Sequence, residues 1–338
     1  MHKTTFAVFK ASLAAVAACA FATSATSALA QAGGAAAGYP AKPVTIIAPN
    51  PPGGGADGDG RVWAQKLTEA TGKSFVLDYK PGAGGTIGAN YVAKAAPDGY
   101  TLLFVTSGFA VTAVMHPSLP YDAMKDFAPV SLTLVRATLL AAHPSAPFST
   151  FPQYVTYAKA HPGEINFATT GAGSVYHLVG AWLNSTTGTK TTFVHYKGAG
   201  PLLLDLAAGR THVGPTSFLA GWQLVKPGKL KAIAIMSPQR SDLAPDLKTI
   251  AEQGIPDFDY SAWSGIIAPA ATPAAITTKL SDQLAALAKD PATIEYFKST
   301  GATLICNTPA QFRAYLTTLT GRWARLMKEN GIQQSVDD

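Results

Sequence analysis

The chain has 338 residues, 47% of them hydrophobic and 14% charged, with a formal charge of +6 and a pI near 9.1. That much apolar side chain and so little charge exclude a disordered polypeptide, and the length suffices for two lobes. The basic residues are scattered and form no stripe, which argues for a mildly basic surface suited to small anions and against nucleic acid.

Residues 1–30 have the pattern of a cleavable export signal. Lys3 and Lys10 give a positive start, Ala11 to Ala22 an apolar run, and Ala28-Leu29-Ala30 the small residues expected before cleavage at Gln31. The competing pattern is a lipoprotein box, Val16-Ala17-Ala18-Cys19, with Cys19 acylated; the Ala-x-Ala site is the better formed signal. Later runs all fall short of the ~20 apolar residues of a membrane helix. Once Cys19 is removed, Cys306 stands alone in the apolar run ATLIC and is expected as a small buried hydrophobe.

The fold is expected to begin at Tyr39-Pro40. Val44 to Ala48 forms a first strand, stopped by Pro49, Pro51 and Pro52, which lack ladder donors. Gly53, Gly54 and Gly55 then make a bare loop, and a helix is predicted from Arg61 to Thr71 with Gly72 as its C-cap. A strand at Ser74–Tyr79, the loop KPGAGGTIGA, a helix at Ile87–Ala95 and a strand at Tyr100–Val105 follow. Val130 to Leu140 is unusually long for one strand and is the expected place of a first crossing between lobes.

Next come a helix at Phe151–His161, a strand at Ile165–Ala168, the loop TTGAGS and a helix at Val175–Thr186. Strands are predicted at Thr191–His195, His212–Thr216 and Leu230–Ile235, with a helix at Pro201–Ala208 and a short helix within Pro245–Gly254. Ser264–Ala268 is a strand suited to carrying the chain back. The amphipathic helix Pro273–Lys289 follows, and then a last helix with Thr308 as N-cap, Pro309 at N1 and Gln311 at N3. Strands alternating with helices, with glycine loops at the strand ends, indicate an α/β sheet, mostly parallel.

The glycine loops fail as nucleotide motifs. GGGADGDG lacks the Lys-Ser/Thr ending of a phosphate loop, and PGAGGTIG has Ile87 at the third glycine position of a dinucleotide fingerprint. Asp57 and Asp59 lack the terminal Glu of a calcium loop, and the histidines show no metal-ligand spacing, so neither metal nor cofactor is expected. Ser174 and His177 lie one helical turn apart. They admit a hydrolase reading, but no nucleophile elbow surrounds Ser174, and a cap with a neighbouring wall residue is the simpler one. Tyr196 and Gly198 follow a strand end and are candidates for lining a cleft.

With these residues on the page, the chain resembles a known family. YPAKPVTIIAP, the GG-x-x-D-x-x-G-R of Gly53 to Arg61, KPGAGGTIGANYVAKAAPDGYTLLF, KAHPGEINFATTGAGSVYHL, HYKGAGPLLLDLAAGR and WSGIIAPAATP are similar in order and type to the Bug-type periplasmic solute-binding proteins of tripartite tricarboxylate transporters. The resemblance covers nearly the whole chain after the leader.

It implies an α/β, two-lobed fold of the type II periplasmic-binding-protein kind, with mixed sheets flanked by helices and a hinge beside an interlobe cleft. The lobes would be residues 39–130 plus 262–338, and residues 131–261. It implies a non-catalytic protein that takes up a small carboxylated ligand and delivers it to membrane transporter subunits; a monomer is expected, and a ligand-sensing partner of a two-component receptor is an alternative compatible with the same binding chemistry. It places the ligand carboxylate at Asn50 to Asp57 and Thr170 to Ser174, and the full expected ligand-binding set is Asn50, Gly53, Gly54, Gly55, Asp57, Ser107, Thr170, Gly171, Gly173, Ser174, His177, Tyr196, Gly198 and Ser217. Asn50 stands where the family usually has an aromatic residue, which alters the shape and hydrogen bonding expected of the pocket.

Overall fold

The computed structural model describes residues 37–52, 55–116, 118–256 and 258–332. The expected export signal with Cys19, and Gly53 and Gly54 of the ligand set, lie outside the described residues.

Two mixed sheets organise the molecule. The first half of the chain supplies β1 (Val44–Ala48), α1 (Gly55–Thr71), β2 (Phe75–Tyr79), α2 (Thr86–Ala93), β3 (Thr101–Thr106), α3 (Ser107–Met115), β4 (Phe127–Arg136), β5 (Thr138–Ala142) and α4 (Phe151–Ala160). It continues with β6 (Asn166–Thr169), α5 (Val175–Thr187), β7 (Thr192–His195), α6 (Ala199–Ala207), β8 (Val213–Ser217), α7 (Phe218–Val225) and β9 (Lys231–Ile235). The return brings β10 (Ala262–Pro269), α8 (Ala274–Leu287), α9 (Pro291–Ser299), β11 (Ala302–Leu304) and α10 (Pro309–Glu329).

The six-stranded sheet has the order β11-β4-β10-β3-β1-β2, and the five-stranded sheet β7-β6-β8-β5-β9. β1 runs parallel to β2 and β3, and β6 to β7 and β8, whereas β10 and β5 run against their neighbours. The expected long strand is two strands. β4 stays in the first sheet through Arg136, β5 enters the second at Thr138, and Ala137 alone lies between. One apolar run serves two sheets, which is why it looks too long for either.

The helix predicted from Arg61 opens earlier, at Gly55. Glycine is a poor helix former, but it lets α1 pack closely here: a Cβ on Gly60 would stand 3.2 Å from the Leu77 side chain of β2. Asp57 in the first turn faces the positive end of the helix dipole. Helices α3, α7 and α9 add to the predicted set, and the short helix within Pro245–Gly254 is a single 3₁₀ turn, Ala251–Gln253. Gly72 caps α1 at φ 65°, and Thr308 with Gln311 forms the predicted capping box on α10.

Each lobe has its own apolar cluster, around Trp63 and Phe297 in one and Leu139 and Phe218 in the other. A third cluster joins them. In it, Trp182 of α5 stacks on Phe258 at 4.4 Å and meets Trp323 of α10 edge-on at 6.2 Å. Arg322 on α10 lies over Trp182 and donates to the Asp259 carbonyl at 2.9 Å.

The first crossing is tied down by an ion pair. Arg136 donates to both oxygens of Asp59 at 2.5 and 2.7 Å and to the Thr300 carbonyl and hydroxyl at 3.3 and 3.0 Å. Asp59 is 2% exposed. Removing one partner of a buried pair strands the other charge. Asp59→Ala is therefore expected to lower the unfolding free energy by about 3 kcal/mol in urea titrations; a change under about 1 kcal/mol, the scale of a surface pair, would show that the pair is effectively solvated.

Candidate ligand-binding site

β3 of the six-stranded sheet and β6 of the five-stranded sheet end beside one cleft, so the segments that follow them face a common space. β3 runs straight into α3 at Ser107. Thr106, its N-cap, makes no side-chain cap bond, so the first-turn N–H groups of α3 are uncapped. Ser107 accepts a hydrogen bond from the Trp263 N–H at 3.1 Å, which fastens the returning strand β10 to the start of α3.

From the other lobe, β6 ends at Thr169, and the loop Thr170–Ser174 leads into α5. The Ser174 hydroxyl accepts from the His177 N–H at 3.3 Å, and the N–H groups of Val175 and Tyr176 have no partner among the described residues.

Ser107, Thr170, Gly173 and Ser174 therefore line one cleft of about 430 Å³, together with Thr112, Tyr176 and Tyr260. No aspartate, glutamate, lysine or arginine lines it among the described residues. What faces an occupant is a pair of helix N-termini, hydroxyls, aromatic rings and the His116 imidazole. That arrangement favours an anion by oriented dipoles rather than by a countercharge.

The loop is held from behind. Gly173, at φ 70°, lies so close to the Met115 methyl that a Cβ there would collide with it. Its N–H donates to Nδ1 of His177 at 3.0 Å. Burial first, and His195 second, push the His177 pKa down to about 4, so the ring is neutral at physiological pH and Nδ1 is an acceptor. His195 lies 4.9 Å from that ring and bonds the Thr169 hydroxyl at 2.6 Å, which in turn accepts from Gly171 at 3.4 Å. Burial lowers its pKa as well. His177 is thus a support of the loop. Its imidazole bonds Gly173 while its main chain bonds Ser174, which is not the side-chain contact a nucleophile and base require.

Other residues of the expected set fall elsewhere. Asn50 lines a recess with Gly84, Gly85 and Tyr121, on the far side of the first turn of α3. The Asp57 carboxylate takes the Tyr79 hydroxyl at 2.5 Å and Arg61 Nε at 3.0 Å, so it steadies the start of α1. Gly55 begins that helix.

Gly171 adjoins the Tyr196 carbonyl. Tyr196 bonds Thr169 through its N–H at 2.9 Å, while its phenol interacts with Asp205 and Thr211. Gly198, at φ 107°, is the N-cap of α6, and Ser217 ends β8 opposite Thr138, beside the first crossing. None of these four lines the cleft or the Asn50 recess. Thr112, Tyr176, Tyr260, Gly84 and Gly85 were not anticipated; the bare PGAGG sequence was the one available signal for the last two.

Comparison with known proteins gives this geometry a family. Residues 60–332 match the TctC model, described as the tripartite tricarboxylate transporter family receptor. BugT of Bordetella pertussis is 35% identical over 295 residues, covering 87% of this chain and 90% of BugT. The R. palustris protein Rpa4515, solved with adipate, superposes with a TM-score of 0.76 at 31% identity, covering 87% of this chain and 99% of that one. MatC from Rhodopseudomonas palustris, with bound malate, superposes at 0.71 and 28% identity, covering 85% and 99%. With most of its length matched in sequence and in fold, the chain belongs to the TctC family of solute-binding receptors.

Proposed function

We propose that this protein is a periplasmic receptor that binds a small organic carboxylate between its lobes and delivers it to the membrane subunits of a tripartite transporter, without catalysis. The observation that carries the reading is the pair of helix starts, α3 from one lobe and α5 from the other, that face one cleft lined by no Asp, Glu, Lys or Arg among the described residues. Adipate and malate in the two relatives are acids of the kind this arrangement suits. The lobes are taken as residues 39–136 with 262–332, and 138–261. The boundary moves from residue 130 to Ala137 because β4 remains in the six-stranded sheet through Arg136. A ligand that touches both lobes favours the closed arrangement by its differential contacts, and binding thereby becomes a signal to the membrane partner.

The purified protein is expected to gain thermal stability with adipate or malate and not with the corresponding amides, because a ligand of the folded state raises the midpoint by mass action. Equal shifts with acid and amide would remove the anion reading. Ser174→Ala is expected to weaken acid binding about tenfold and to cost about 1 kcal/mol of stability through the lost cap, as read by calorimetric titration and urea melts. Uptake by vesicles carrying the transporter subunits should require this protein; uptake without it would sink the delivery role.

The pH dependence has a definite sign. The His177 pKa falls on folding from its ordinary 6.5 to about 4, so the unfolded chain binds the proton more readily. Its contribution is complete above pH 6.5 and is lost as pH falls from 6.5 toward about 4. Urea melts across that window should show a steeper loss for the wild type than for His177→Gln; parallel curves would mean that the ring is solvated.

A further inference from the structure

The two lobes border a second groove, of about 470 Å³, that lies against both crossings. Ala137 of the first crossing lines it, and so do Asp259 and Ser261 of the return. One wall belongs to the lobe of the six-stranded sheet and carries Thr303 of β11 and Ile305 just after it. The other wall is the segment Ser237–Leu243, which follows β9.

The connectivity sets this groove and the ligand cleft on opposite sides of the crossings. In the six-stranded sheet, the crossing strands β4 and β10 lie between β11, which borders the groove, and β3, which ends at the cleft. In the five-stranded sheet, β5 lies between β9, which leads into the groove, and β6, whose following loop lines the cleft. The return divides the same way residue by residue. Tyr260 lines the cleft, while its neighbours Asp259 and Ser261 line the groove. Side chains that alternate along an extended segment point to its opposite sides.

Each wall is held within its own lobe. Arg240 donates to Glu252 at 2.9 Å and to the Pro245 carbonyl at 2.8 Å. On the other wall, the Ile305 N–H donates to the Thr133 carbonyl of β4 at 3.0 Å. Each wall also presents a large apolar side chain to water, Leu243 at 44% exposure and Ile305 at 40%. Such side chains lose water as the walls approach and meet it again as they part, so they favour a narrow groove.

We propose that this groove sets the balance between the open and closed receptor, and that Gln239, Leu243, Thr303 and Ile305 tune ligand affinity without touching the ligand. Two spaces on opposite sides of one pair of crossings change width in opposite senses when the lobes bend about them. Narrowing the cleft widens the groove. Contact between the groove walls therefore holds the cleft open, and bulk placed between them drives it shut. The inference rests on the receptor reading above and deepens it.

The test compares two kinds of variant. Gln239→Trp and Thr303→Trp add bulk from opposite walls; Leu243→Ser and Ile305→Ser remove apolar contact between them. Adipate and malate are titrated calorimetrically, and small-angle scattering is recorded without ligand. Each variant is expected to bind acid about threefold tighter than the wild type, and the paired Trp variant about tenfold, because apparent affinity rises with the fraction already closed. The ligand-free radius of gyration should fall below the wild-type value in the same order. Agreement between the bulky and the small variants separates a shifted balance from local misfolding, which would weaken binding and lower the melting midpoint. Unchanged affinity and radius in all four variants, or weaker binding and a larger radius at wild-type midpoints, overturns the inference and leaves the receptor reading standing. If neither acid binds the wild type, the receptor reading falls, and the scattering still decides the groove: a smaller radius in the variants supports its role and an unchanged one removes it.

Discussion

A strand that leaves one sheet at Arg136 and enters another at Thr138 has one residue in which to turn. On one side of Ala137, Arg136 is held by Asp59 and Thr300; on the other, Ala137 and Thr138 offer their carbonyls to Phe218 and Met236 at 3.2 and 2.8 Å. The return is as closely held, because Trp263 donates to the hydroxyl of Ser107 at the mouth of the cleft. Both ends of the crossing are thereby fastened to the lobe of the six-stranded sheet. The α5–α10 contact, with Trp182 between Phe258 and Trp323, adds an apolar seam that must slide rather than open. A packed seam slides in small steps, so the proposed closure is a combined hinge and shear, not a free swing.

Much of this was legible in the chain. The capping box at Thr308, the cap at Ser174 and the proline stop after β1 are local rules, and local chemistry decides them. Helix α3 was not legible, because Ser107 to Met115 carries no polar face: it is packed on most sides, and periodicity shows only where one side meets water. The start of α1 was hidden for a different reason. Its glycines signal a loop by propensity, and only the distant Leu77 reveals that Gly60 serves close packing.

The site divided along the same line. Thr170, Gly173 and Ser174, which line the cleft, lie in a loop where glycine with a following serine is itself a backbone signal. Asp57 was not, since an aspartate beside a glycine loop looks alike whether it faces a ligand or Tyr79, and strand β2 decides which. Thr112 is the extreme case. Nothing in TAVM tells that this threonine lines both the cleft and the Asn50 recess, and only the assembled walls show it.

Among the described residues no lysine or arginine lines the cleft, and this bears on how such a site lets go. An arginine clamp on a carboxylate gains strength in a low-dielectric gap but must be resolvated at every release. Helix N-termini and hydroxyls offer smaller increments, each about 0.3–1 kcal/mol at exposed helix ends, and their dipoles stay fixed whether the site is full or empty. Such a cleft needs a stiff frame, because dipoles that drift lose their advantage. His177 provides part of that frame only while neutral: a proton on Nδ1 would set an N–H against the Gly173 N–H, and the tether would become a repulsion. Burial and the neighbouring His195 keep that proton off, so the same low polarity that weakens any countercharge keeps the anion loop in shape.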